Sequence, residues 1–176
     1  MQKVCHHDDP SALDELLLRY WNPIVQYTER MLGSLDAAED VAQQVFIRLW
    51  ERRDRWRRGG SLQAYLYRIA RNLSLNEQRS RSVRTRWQEE LTLEYDSEGP
   101  RPDRDLEERE LAEVVEGAIA ALPERRREAF LLTRFHGLTY REVGEVMGIS
   151  PQTVANQISA ALTELREYLR DHALME

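Results

Sequence analysis

The chain has a single cysteine, Cys5, among 176 residues, so no internal disulfide can staple it and no oxidising compartment is implied. No apolar run approaches the ~20 residues that span a bilayer, and the opening MQKVCHHDDP carries no apolar signal-peptide core. These absences point to a protein working in the cytoplasm. Lysine is nearly missing too: Lys3 is the only one. Glycine-rich phosphate loops of the Walker type are absent, and His6, His7, His136 and His172 stand in no recognisable setting with a nucleophile. An enzyme is therefore not expected, nor is a cofactor or small-molecule substrate. Cys5, His6 and His7 are adjacent at a terminus, a poor metal-ligand spacing, so no metal site is assigned.

What is present is helical periodicity and an uneven charge. Hydrophobic residues make up 41 %, enough for packed cores, and net charge is −6. From Phe46 to Trp87 there are twelve arginines against three acids, a balance of +9; from Gln88 to Gly117 there are twelve acids against three arginines, a balance of −9. Such asymmetry marks different partners for different segments. Arginine forks phosphate and stacks on bases, which suits nucleic acid, although a high-GC genome would favour arginine as well.

No β-pattern exceeds a few residues. Leu13, Leu16, Leu17, Tyr20 and Trp21 make one apolar stripe, which Asn22-Pro23 is expected to end; Ile24, Tyr27, Met31 and Leu32 continue it on a second helix stopped by Gly33. Asp36 is expected to cap a long helix, with Glu39 completing a capping box and Val41, Val45, Leu49 and Trp50 inward. Ser61 caps a further helix bearing Leu62, Tyr65, Leu66, Ile69 and Leu73. Periodicity fails from about Ser80 to Glu108, where Gly99-Pro100, Pro102 and most of the acidic block lie. It resumes with Leu111, Val114, Val115, Ala118 and Leu122, then Phe130, Leu131 and Phe135, closed by Gly137. The expectation is an all-α chain: one small helical domain over residues 1–80, a flexible acidic linker over 81–108, and a second helical domain over 109–176.

The most specific local pattern is LTYREVGEVMGISPQTVANQISAALTELR, residues 138–166. Thr139 and Glu142 form a capping box, Gly144 is small where a second helix crosses, and Gly148 supplies a tight turn. Ser150-Pro151 then opens a helix with a cap and a first-turn proline. Val154, Ile158, Leu162 and Leu165 point inward. This is helix-turn-helix spacing, with an ordinary αα-hairpin as the alternative. The outward side of the second helix offers Gln152, Thr153, Asn156, Gln157 and Ser159, whose amides and methyls suit adenine and thymine edges. That helix has no Lys or Arg before Arg166, so phosphate charge must come from Arg125, Arg126, Arg127, Arg134 and Arg141.

The run LGSLDAAEDVAQQVFIRLWERRDRW, followed by GGSLQAYLYRIARNLSLNEQR, resembles region 2 of RNA polymerase sigma factors. The stretch ALPERRREAFLLTRFHGLTYREVGEVMGISPQTV resembles their region 4. Two such motifs in order, with little between them, are similar to the extracytoplasmic-function group, which keeps only these two domains. The resemblance implies a promoter-specific initiation factor whose partners are core polymerase (β′ clamp helices and β flap), promoter DNA and an anti-sigma factor, and which is a monomer when free. It implies that Asp40, Gln43 and Gln44 face the clamp helices. It implies that the loop over residues 56–61, with Trp56 and Ser61, takes a flipped minus-10 base, and that Asn72 meets the non-template strand. Tyr67, Arg68 and Arg71 are the better exposed DNA candidates beside it. Tyr65 shares a face with Leu62, Leu66 and Ile69, and both it and Trp56 have a core role as the alternative. The acidic linker reads either as a mimic of RNA in the polymerase exit path or as a solvated tether. The minus-35 element falls to Arg141, Ser150, Gln152, Thr153, Asn156 and Gln157. Two other classes remain open: an independent dimeric helix-turn-helix regulator, and a protein-binding helical adaptor.

Overall fold

A computed structural model describes residues 10–53, 60–88 and 106–173 of the chain, with side chains described for most of these. Among the described residues there are seven α-helices and no β-strand. They fall into two units, Met1–Glu98 and Gly99–Glu176.

The first unit is a three-helix bundle of α1 (Pro10–Leu32), α2 (Leu35–Glu51) and α3 (Leu62–Gln88), each packed on the other two. Its core takes Leu16, Tyr20, Ile24 and Tyr27 from α1, Ala38, Val41, Val45 and Leu49 from α2, and Leu62, Leu66, Tyr67 and Leu73 from α3. The expected break at Pro23 is not there: α1 is one helix with Pro23 inside it. Proline there forgoes a hydrogen bond and crowds the preceding turn, at about 3 kcal/mol. Ile24, Val25, Tyr27 and Thr28, all buried directly after it, outweigh that cost, since each large apolar side chain contributes about 1.5–3 kcal/mol on burial. The buried Thr28 hydroxyl lies 2.9 Å from the Ile24 carbonyl in its own helix and 3.3 Å from the Ala38 carbonyl of α2.

Gly33, at φ +66°, ends α1 as its pattern implies. The cap of α2 is Ser34, not Asp36: Ser34 is extended and its side chain accepts from the Ala37 N–H. The left-handed turn at Gly33 reverses the chain within one residue, which brings Ser34 into the capping position. Asp36 falls in the first turn, where a carboxylate complements the helix dipole, and Glu39 is exposed. Ser61 caps α3 as expected, accepting from the Ala64 N–H at 3.2 Å.

α3 runs to Gln88, past the boundary expected at residue 80. Around residue 80 the helix is tied to α1 by polar contacts: Gln78 Nε2 donates to the Met31 carbonyl at 2.6 Å and Arg81 Nη1 to the Leu32 carbonyl at 3.3 Å. Those carbonyls belong to the last turn of α1, where no intrahelical donor reaches them. The linker expected from residue 81 therefore begins, over residues 81–88, as helix; residues 89–105 lie outside the described residues.

The second unit packs α4 (Leu106–Ala121), α5 (Glu124–Arg134) and α6 (Tyr140–Met147) against the long α7 (Pro151–Ala173). Ala118, Ile119, Leu122, Phe130, Leu132, Val143, Val154, Ile158 and Ala161 are its core. Two residues expected inward are not: Val115 and Phe135 are 37 % and 55 % exposed. Ile119, one turn beyond Val115, is buried instead. Phe135 follows the last turn of α5 and lays its ring edge-on to Phe130 at 6.3 Å. Arg126 of α5 pairs with Glu164 of α7.

Tyr67 is 1 % exposed and meets the Tyr27 ring edge-on at 5.3 Å. Burial, and to a lesser degree Tyr20, push its hydroxyl well above the usual tyrosine range. Above the ~10 at which an exposed tyrosine ionises, the unfolded chain releases this proton and the folded bundle retains it. The stabilisation is thus complete below about pH 10 and is lost as pH rises further. Urea denaturation of wild type and Tyr67→Phe at neutral and strongly alkaline pH checks this. The wild type should lose more stability over that interval than the variant; equal losses would rule out Tyr67 as the group responsible.

Candidate nucleic-acid interface

In the second unit, α6 and α7 form the helix-turn-helix that the spacing predicts. The capping box at the start of α6 is complete: Thr139 N–H donates to Glu142 Oε2 at 2.8 Å, and Glu142 N–H to Thr139 Oγ1 at 3.3 Å. Gly148, at φ +69°, makes the left-handed turn. The returning backbone crosses so close to Gly144 that a Cβ there would sit 2.7 Å from the Ile149 carbonyl oxygen. What crosses Gly144 is the turn itself rather than the body of α7. This contact fixes the angle at which α7 leaves the turn.

At the start of α7, Ser150 Oγ accepts from the Thr153 N–H at 3.0 Å, and the two hydroxyls lie 2.8 Å apart. Ser150 and Thr153 therefore act first as the cap of this helix. Gln152 and Asn156 are exposed one turn apart, Gln152 Nε2 donating to Asn156 Oδ1 at 3.2 Å; Gln157 is half-buried. The outward side of the early turns of α7 is thus amide and hydroxyl. Cationic charge stands nearby on α6: the Arg141 side chain is 85 % exposed, its Nε 3.5 Å from Glu145. An exposed pair of that kind is worth little, so the guanidinium can exchange it for phosphate. Of the other arginines expected to supply charge, Arg125 and Arg134 are exposed, whereas Arg126 is engaged by Glu164 and Arg127 by the Ala120 carbonyl at 3.1 Å.

In the first unit, α2 and α3 each bury one face and leave the other polar. On α2, Asp40, Gln43 and Gln44 are exposed, opposite Val41, Val45 and Leu49. Ile47 lies among them, one turn beyond Gln43, and is 53 % exposed. The sequence reading missed it; the signal was an apolar residue out of phase with the buried stripe. On α3, Arg68 and Asn72 are exposed, Arg71 is half-buried, and Tyr65 is half-buried with the Arg68 guanidinium 5.6 Å over its ring. Tyr67, expected beside them, is not part of this face: it points into the bundle toward Tyr27. Ser61 sits at the cap of the same helix. Trp56 and the rest of its loop, residues 54–59, lie outside the described residues, as do Cys5, His6 and His7. Among the described residues no cluster of His, Cys, Asp or Glu could hold a metal, and no helix is long and apolar enough to cross a membrane.

These two units coincide with two known families. Residues 16–84 match the family described as Sigma-70 region 2, and residues 112–165 match Sigma-70, region 4. The chain is 30 % identical to the ECF RNA polymerase sigma factor SigW of Bacillus subtilis, covering 93 % of this chain and 91 % of that one. It is 32 % identical to the RNA polymerase sigma-H factor of Pseudomonas aeruginosa, covering 87 % of this chain and 83 % of the other. With the ECF sigma factor SigE of Mycolicibacterium smegmatis it shares 31 % identity but spans 62 % of that protein's length. In fold it is similar to the sigma factor RpoE of Bartonella quintana, solved with the anti-sigma factor NepR (TM-score 0.71, 23 % identity, covering 89 % of this chain and 96 % of that one). It is likewise similar to CnrH, solved with the cytosolic domain of CnrY (TM-score 0.66, 22 % identity, 93 % and 91 %). Among the described residues the chain is an all-helical pair of units, one of them a helix-turn-helix, and both match regions of a transcription initiation factor family. The chain belongs to the extracytoplasmic-function sigma factors of the sigma-70 family, which are regulatory initiation factors rather than catalytic enzymes.

Replacing Gly144 by alanine drives a methyl into the Ile149 carbonyl, so backbone must shift, at a cost of about 1–3 kcal/mol. Thermal unfolding of the full chain should show the second unit destabilised by that amount and the first unchanged. An unaltered transition would mean that the turn relaxes freely around Gly144.

Proposed function

We propose that this sigma factor binds core RNA polymerase and directs promoter-specific initiation with its three polar faces in distinct roles. The observation that carries the reading is the first unit, where α2 and α3 bury their apolar stripes in one bundle and leave two polar faces outside. An independent helix-turn-helix regulator has no need of that pair. Asp40, Gln43 and Gln44, with Ile47 as an apolar anchor among them, face the clamp helices of β′. Tyr65, Arg68, Arg71 and Asn72 engage the opened minus-10 element, where unstacked bases are captured by ring faces, amides and backbone charge. Trp56 and Ser61 serve the flipped base.

The second unit meets the β flap and reads minus-35 duplex. Gln152, Asn156 and Gln157 meet base edges in the major groove, Ser150 and Thr153 fix the start of the reading helix, and Arg141 meets phosphate. The acidic residues between α3 and α4, over 89–105, serve as a tether, while the rest of the acidic block, from Leu106 on, belongs to α4. The free protein is a monomer in the cytoplasm and takes no cofactor. One fold relative was solved with an anti-sigma factor and another with the cytosolic domain of CnrY, and we extend the first to this chain: a protein inhibitor covers these polar faces until it is removed.

Run-off transcription with purified core polymerase, on the region upstream of the chain's own gene, tests the reading. Specific starts should appear only when this protein is added. Asn72→Ala should lower them roughly tenfold or more, as expected for loss of one base contact of about 1–3 kcal/mol. Tight binding of duplex DNA by the protein alone, with no transcript, would instead establish an independent regulator.

A further inference from the structure

The early turns of α7 carry two polar pairs, and the helix uses them differently. Ser150 Oγ accepts from the Thr153 N–H at 3.0 Å and lies 2.8 Å from the Thr153 hydroxyl, so both hydroxyls are taken up at the cap. The second pair is Gln152 and Asn156, one turn apart, with Gln152 Nε2 donating to Asn156 Oδ1 at 3.2 Å. Both are exposed, while Val154 and Ile158, two residues beyond each, are buried. Core packing therefore holds the amide pair on the outer side of the helix.

A primary amide has an oxygen end and a nitrogen end, and a glutamine free to rotate presents either one. A bond between two amides removes that freedom. Turning over Gln152 alone would set oxygen against oxygen, and turning over Asn156 alone would set N–H against N–H. Each side chain thus fixes which end the other presents. With one N–H directed at Asn156, Gln152 keeps its Oε1 and its second N–H for a ligand. That is an acceptor beside a donor, the complement of the adenine N6 amino group and N7 in the major groove. Guanine presents two acceptors there, cytosine a lone donor, and thymine an acceptor beside a methyl; none of them matches both atoms of this amide.

We infer that Asn156 is a positioning residue for Gln152, and that the bonded amides select adenine at one base pair as a unit. The inference rests on the proposed reading of duplex by the outer side of α7. Between Pro151 and Leu165 the helix has no cation, so the orientation of its amides decides what it prefers. Holding Gln152 in one orientation is worth about fivefold in preference for adenine, the net effect of one neutral hydrogen bond.

The test uses holoenzyme assembled from core polymerase and the full chain, on a promoter from which it starts specifically. Each minus-35 base pair is replaced in turn by the other three, and run-off transcripts are compared. Wild type should prefer adenine at one base pair where Gln152→Ala abolishes the preference, which identifies the position Gln152 faces. Asn156→Ala should lower the preference at that same position about fivefold. Combining the two substitutions should do no more there than Gln152→Ala alone. Asn156→Asp separates positioning from support of the helix: its carboxylate still accepts from Gln152 but has no N–H of its own. The adenine preference at the Gln152 position should therefore return toward wild type. Preference is a ratio between promoters, so a uniform fall in activity leaves it unmoved. If Asn156→Ala keeps the wild-type preference there, or Asn156→Asp does no better than alanine, the amides act independently and the duplex reading by α7 stands. If Gln152→Ala alters no minus-35 preference while starts remain specific, the reading by α7 fails and the pairing with it. If the wild type directs no specific starts, the sigma reading itself fails.

Discussion

Burial along the second half of α1 is the constraint on which the first unit depends. Ile24, Tyr27 and Thr28 are withdrawn from water, and α2 and α3 both pack on this helix. With the buried side of each helix fixed, the 3.6-residue period fixes the opposite side too. Asp40, Gln43 and Gln44 are outside because Val41, Val45 and Leu49 are inside. Arg68 and Asn72 are outside for the same reason, with Leu66 and Leu73 as their counterparts. These polar faces therefore need no loops to place them, and their relative angle is set by core packing.

The second unit solves a similar problem with a tighter joint. Gly144 removes the side chain that would hold the turn away, Gly148 adopts the left-handed conformation, and Ser150 caps α7. Three small residues within seven positions thus set the emergence of a 23-residue helix. The core side of that helix is anchored by Val154, Ile158 and Ala161, so its amide side has one orientation relative to its own unit.

Much of this was legible in the sequence, and the gaps have physical causes. The helix-turn-helix was readable because every local signal agrees: capping box, positive-φ glycine, serine cap and apolar period. Pro23 misled because its local cost is real but smaller than the tertiary burial on either side of it, which no window of sequence displays. Asp36 misled as a cap because Ser34 competes for the position, and the turn at Gly33 decides between them. The end of α3 was missed because its attachment is polar: Gln78 and Arg81 reach carbonyls about fifty residues back in the chain, far outside any periodic pattern. Tyr67 was misplaced because helical phase alone leaves flanking positions undecided. Its neighbour Tyr65 shows how narrow the margin is, being half-buried two residues away.

The composition of α7 has a kinetic consequence for the duplex reading proposed above. Between Pro151 and Leu165, α7 carries no cation. Basic reading helices adhere to any duplex through the release of counterions, and chromosomal DNA then acts as a vast reservoir that holds them. An amide-faced helix draws little from that source. On the proposed reading, the bulk genome is a shallow trap for α7, and residence on DNA is governed by the few positions where its side chains and the bases match.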